Sequence, residues 1–226
     1  MKKNQYTQKL EGVIKQMLNP LKGLPFNLVI ESLSGFRVIP FDRNTKKDKE
    51  LLKKLIEVAK ITGKEINNKG IKRKRPNEVG NDIEDFVVRT LNKLKLEADI
   101  PTTSSGQKRG AGYPDIEFTD QFGEINYLEC KTFNIKSVGT SFRSFYLSPS
   151  ENFKITRDAH HFVMSFEIYP ERRSASGFNF KCRSWKILSI ENLIVDVKYE
   201  FNSDNDRMYK TELILAEGDI LTKGRV

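Results

Sequence analysis

Near Pro101 the apolar residues change from a helical spacing to an alternating one, and this switch constrains the fold more than any other feature of the chain. Upstream, Leu10, Val13, Ile14, Met17 and Leu18 share one helical face and stop before Pro20. Pro25 suits the first turn of a helix over 26–33, with Gly35 as its stop. Leu51, Leu52, Leu55, Ile56, Val58 and Ala59 make a third stripe backed by lysines, predicted to end near Gly63. A fourth stripe, Ile83, Phe86, Val87, Leu91 and Leu94, follows the capping candidates Asn81 and Asp82. Downstream, a Gly- and Ser-rich loop feeds a strand over 113–118, and a Gly123 turn feeds a second over 125–132. Further runs rich in β-branched and aromatic residues cover 142–147, 162–169, 185–188 and 193–201. The expected fold class is α/β, a central mixed β-sheet flanked by helices, with an N-terminal helical region and basic linker over 1–75 and a core over 76–226.

Composition bears on the partner. Lys and Arg number 39 against 30 Asp and Glu, a net charge of +9, which favours a polyanionic partner such as nucleic acid. At 38% hydrophobic and 31% charged the chain is expected to be globular rather than disordered or collagen-like. The 2 cysteines, Cys130 and Cys182, match neither a zinc spacing nor a disulfide framework. With no signal-peptide core after Met1 and no membrane-length apolar stretch, a reducing, cytoplasmic location is expected, with no membrane partner. Neither a phosphate-binding GxxxxGK[ST] loop nor a GxSxG elbow is present.

The chemistry concentrates in the two strands around Gly123. On a strand, alternate residues share a face, so Glu129 and Lys131 point together while Leu128 and Cys130 face away. If the strands pair antiparallel, Asp115 comes within cross-strand reach of Glu129. Two adjacent carboxylates repel unless a positive charge intervenes, and a hard cation such as Mg²⁺ supplies it. A water oriented beside Lys131 then suits attack on phosphorus, the chemistry of phosphodiester hydrolysis.

Pro114-Asp115 followed by Glu129-Cys130-Lys131 resembles the PD-(D/E)xK nucleases, and within them the type II restriction endonucleases. The resemblance implies a restriction-endonuclease-like core cleaving double-stranded DNA site-specifically with Mg²⁺, leaving 5′-phosphate and 3′-hydroxyl ends. It implies that Asp115 and Glu129 hold the metal with the Cys130 carbonyl, and that Lys131 positions or activates the attacking water. Glu84 resembles the glutamate such enzymes carry near the start of the preceding helix, though three residues after Asn81 it also fits a capping box. Glu117, on the same strand face as Asp115, is a rival ligand. A homodimer is expected, since two sites about a two-fold axis cut both strands of a palindrome. Alternatives are a mismatch-nicking or modified-DNA nuclease on the same core, and a non-catalytic DNA-binding module.

For DNA, Lys72, Arg73, Lys74 and Arg75 in the expected linker, and Lys108 and Arg109 before Asp115, are the phosphate-binding candidates. Arg143, Asn152, Lys154 and Arg157, after the catalytic strand, are the base-reading candidates. His160 and His161 face opposite ways on a strand and make a poor metal pair; one is expected buried, one exposed.

Overall fold

The computed structural model describes residues 5–17, 19, 21–75, 78–134, 136, 139–140, 145–174 and 177–198, with the single positions 207, 210 and 213. Among them, no helix is long and apolar enough to cross a membrane. Residues 23–195 make one unit; 1–22 with 196–226 make a second. In the second, helix α1 (Gln5–Met17) buries no residue, and the Leu21 carbonyl accepts from the Val197 amide at 2.8 Å.

The larger unit is an α/β fold on a six-stranded sheet. Its strands are β2 (Ile71–Arg73), β3 (Glu97–Asp99), β4 (Ile116–Thr119), β5 (Ile125–Phe133), β6 (His160–Ser174) and β7 (Gly177–Ser189), ordered β2-β7-β6-β5-β4-β3. Only β5 and β6 run parallel, so the sheet is mixed, as expected. The short strands β1 (Leu24–Pro25) and β8 (Ile194–Val195) pair separately.

The strand period sorts side chains onto two cores. Ile116, Phe118, Leu128, Cys130, Phe162, Met164 and Phe166 pack with helices α3 (Lys46–Lys69) and α4 (Val79–Lys93). Tyr127 and Val163, from the other face, pack with Phe26 and Ile30 of α2 (Phe26–Ser34) and with Tyr113, Phe153 and Ile155. Burial of each such side chain contributes about 1.5–3 kcal/mol. The β4–β5 turn is held by Asp120, whose Oδ1 accepts from the Phe122 and Glu124 amides at 2.8 and 3.0 Å, while Gly123 takes φ 79°.

Several boundaries depart from the sequence pattern. Helix α3 passes through Gly63, where a Cβ would lie 3.4 Å from the Cys182 sulfur, and stops at Gly70 instead. That glycine therefore lies within the helix, at ordinary contact distance from the sheet, and does not end it. The expected linker carries β2, so Lys72 and Arg73 lie on an edge strand paired with β7. Helix α4 begins at Val79, which puts Asn81 and Asp82 inside its first turn. Strand β7 reaches back to Gly177, well before the expected 185–188, and β3 was not expected. Of the strand expected over 142–147, residues 145–147 are irregular and 142–144 lie outside the described residues. From the run over 193–201, only Ile194–Val195 is strand, and 199–201 lie outside them.

Candidate active site

The β4–β5 register pairs Ile116 with Leu128, and one step further places Asp115 opposite Glu129. The Cys130 amide donates to Asp115 Oδ2 at 2.8 Å, and Lys131 Nζ donates to Glu129 Oε1 at 2.5 Å. Glu129 is buried, its Oε2 has no hydrogen-bond partner among the described residues, and the neighbouring lysine side chain is 29% exposed. The Asp, the Glu and the Lys therefore meet on one sheet face, as alternation predicts.

Charges in this corner are mutually perturbed. Burial, then the charge of Asp115, pushes the Glu129 carboxyl up to about 7 against the pull of Lys131. Glu84, half-buried on α4, is likewise raised to about 7 by burial and then by Asp115. Burial raises Asp115 too, although the Cys130 amide and Lys131 oppose it. Burial acts to lower the Lys131 ammonium, but Glu129 and Asp115 outweigh it and hold it above the usual lysine range. Because Asn81 sits inside α4, the capping box proposed for Glu84 does not form; the Glu78 carboxylate instead accepts from the Lys74 and Arg75 amides at 3.2 and 3.4 Å. Glu117 is half-buried and raised by burial, with Arg157 acting in opposition.

Among the described residues, no three His, Cys, Asp or Glu side chains cluster closely enough to hold a metal by themselves. The donor set nevertheless fits Mg²⁺, which takes one or two carboxylates and keeps several waters. An unpartnered, buried carboxylate oxygen beside a second carboxylate is the arrangement that a divalent cation relieves.

The basic candidates are spread more widely. Arg73 makes a two-pronged ion pair with Asp82 at 2.7 and 2.5 Å, whereas Lys72, Lys74 and Arg75 are exposed. Lys108 pairs with Asp99 of β3, so the two basic runs attach to opposite edge strands of the sheet. Arg109 and Asn152 line one cleft with Gly112 and Tyr113. The Asn152 amide is occupied, accepting from Ser104 Oγ at 3.1 Å and donating to Ser105 Oγ at 2.8 Å. Arg157 is exposed, and Arg143 lies outside the described residues. Lys154 has a different place from the one expected: 3% exposed, its ammonium donates to loop carbonyls.

Both histidines are buried, correcting the expectation that one is exposed. His160 Nδ1 lies 3.0 Å from the Ile39 carbonyl oxygen. His161 Nδ1 lies 2.6 Å from the Tyr113 hydroxyl, with the two rings stacked, a contact that ties the start of the Tyr113-Pro114-Asp115 segment to β6. Sequence reading missed this contact, since its two halves are 48 residues apart and only strand pairing joins them.

A mixed sheet covered by helices on both faces, with an Asp and a Glu-x-Lys meeting at one end of a β-hairpin, defines a restriction-endonuclease-like protein. The model of the type II restriction enzyme MjaV family matches residues 20–212. The chain is also 38% identical, over 230 residues, to the type II restriction enzyme MjaV of Methanocaldococcus jannaschii, spanning 95% of this chain and 97% of that relative. This chain belongs to the type II restriction enzyme MjaV family. No solved structure matches it.

Proposed function

We propose that the chain is a cytoplasmic restriction endonuclease that hydrolyses both strands of a specific double-stranded DNA sequence with Mg²⁺, leaving 5′-phosphate and 3′-hydroxyl ends. The observation that carries the proposal is the meeting of Asp115 and Glu129 across the hairpin with Lys131 on the same face. Family membership supports the class of reaction.

Asp115 and Glu129 would hold Mg²⁺, with the Cys130 carbonyl as a third donor. A divalent cation held by them would supply neutralisation of the charge that develops on a phosphate, and a more acidic bound water. Lys131, held protonated by the two carboxylates, acts as a fixed cation that orients the attacking water and the phosphate. Glu84, with its carboxyl near 7, is suited to take up a proton at neutral pH. Arg109 and Arg157, near this face, are assigned to the DNA backbone or bases, and Lys72, Lys74 and Arg75 to phosphates. Two copies about a two-fold axis would cut the two strands of a palindrome.

Incubating the protein with phage DNA, with Mg²⁺ or with EDTA, tests the proposal on one gel. Discrete bands appearing only with the metal are expected. Intact DNA under all metal conditions, or a smear that persists in EDTA, would overturn it.

A further inference from the structure

Lys154 lies outside the Asp and Glu-x-Lys motif and has no part in the roles given above. It is 3% exposed, and its Nζ donates to the carbonyl oxygens of Gly110 at 3.1 Å, Gly112 at 2.6 Å and Pro114 at 2.7 Å. All three ammonium hydrogens are thereby used. Pro114 directly precedes Asp115, so the lysine grips the end of the loop that carries this carboxylate.

An ammonium removed from water costs several kcal/mol unless formal negative charge faces it. Carbonyl dipoles satisfy its hydrogens but leave its charge unbalanced. The balancing groups are those of the active site: burial weakens the charged form of Lys154, and Asp115, Glu129 and Glu84, in that order, support it. The corner thus contains three carboxylates, Glu84, Asp115 and Glu129, and two ammonium groups, Lys131 and Lys154. Lys131 is partly open to solvent and bonded directly to Glu129, while Lys154 reaches the site from behind the loop.

We infer that Lys154 is a positioning residue for the divalent cation: its ammonium fixes where Asp115 stands opposite Glu129 and offsets the repulsion among the carboxylates, so that the cation meets an assembled pair. The inference rests on Asp115 and Glu129 being the metal ligands. Groups hydrogen-bonded to metal ligands typically alter metal affinity 10–100-fold when removed, and Lys154, which acts through the Pro114 carbonyl next to Asp115, is expected at the lower end of that range.

The test uses the full chain and its Lys154→Met variant, with Lys60→Met on the exposed side of α3 as a control. Mn²⁺ binding to DNA-free protein is measured by calorimetry. Lys154→Met is expected to bind Mn²⁺ about 10-fold more weakly or worse, with Lys60→Met unchanged. Thermal midpoints are then compared for the same substitution in wild-type and Asp115→Asn backgrounds. A charge-balancing lysine is missed less once Asp115 is neutral, so a smaller drop is expected in the Asn background. A folded Lys154→Met protein with wild-type Mn²⁺ affinity, or an equal drop in both backgrounds, would overturn the inference and leave a plain loop clamp. If Lys154→Met alone does not fold, a folded double variant supports the inference and an unfolded one overturns it. Wild-type protein that binds no Mn²⁺, or Asp115→Asn that binds it normally, removes the ligand assignment itself and this inference with it.

Discussion

Glu129 gives one carboxylate oxygen to Lys131 at 2.5 Å and keeps the other buried, with no partner among the described residues. Under the proposed mechanism this lysine faces the phosphate and the free oxygen serves the cation, and both roles can be tested. Lys131→Ala is expected to lower cleavage by at least about 10²–10³-fold, the loss typical of removing one preorganised charge-stabilising donor. DNA affinity, followed by fluorescence anisotropy in Ca²⁺, should change far less. A variant that digests DNA at the wild-type rate would remove Lys131 from the reaction.

The same buried oxygen makes the metal-free protein sensitive to pH. The Glu129 carboxyl is raised from 4.5 to about 7, so its stabilising contribution is complete below about 4.5 and is lost as pH rises through about 7. The amount is on the order of 3 kcal/mol for this side chain. Wild-type protein in EDTA is expected to lose more thermal stability between pH 5 and pH 8 than Glu129→Gln does, because the amide has no charge to bury. At pH 8, Mg²⁺ should raise the wild-type midpoint by mass action, about 2.7 kcal/mol at 100 times Kd, and leave Glu129→Gln unmoved. Equal pH slopes for the two proteins, measured by scanning calorimetry, would contradict the assignment.

What the sequence made legible follows from range. The Asp115, Glu129 and Lys131 meeting depends on one tight turn and the two-residue period of a strand, both local, and the structure reproduces it. The apolar stripes of α3 and α4 are equally local, and only their ends were misplaced. Gly63 reads as a stop because glycine often is one, whereas the helix continues through it, packed near Cys182 more than 100 residues away. The run Lys72 to Arg75 reads as a solvated linker because charge hides the edge-strand pairing of Lys72 and Arg73 with Asn179 and Phe178. Lys154 follows Phe153 and precedes Ile155, both buried, which is the signal that it shares their burial. Its carbonyl partners lie 40 to 44 residues upstream, and spacing does not disclose them.

Tyr113, two residues before Asp115, and His161 form a buried pair. Burial lowers the imidazole to about 3, so it stays neutral in use. Among the described residues His161 Nε2 has no partner, and Tyr113→Phe would strip the second ring nitrogen as well. The expected cost is about 1–3 kcal/mol, the desolvation penalty of an unsatisfied buried polar atom. Cleavage should fall with it, because the segment that leads to Asp115 loses its tie to β6. Denaturant unfolding of the two proteins checks the first expectation, and digestion below the variant's melting temperature checks the second.

The exposed basic run beside α4 is expected to act through charge alone. Arg73 is spent on Asp82, which leaves Lys72, Lys74 and Arg75 to meet phosphates. Each phosphate contact contributes about 0.9 to the slope of log affinity against log salt on duplex DNA. Replacing the three with alanine should therefore flatten that slope by up to about 2.7 and weaken binding to any sequence alike. The cutting pattern on phage DNA should be unchanged, since contacts to the backbone carry no sequence information. Binding titrations across a salt series decide the matter: an unaltered slope would show that this run never reaches the DNA, and an altered cutting pattern would show that it reads bases.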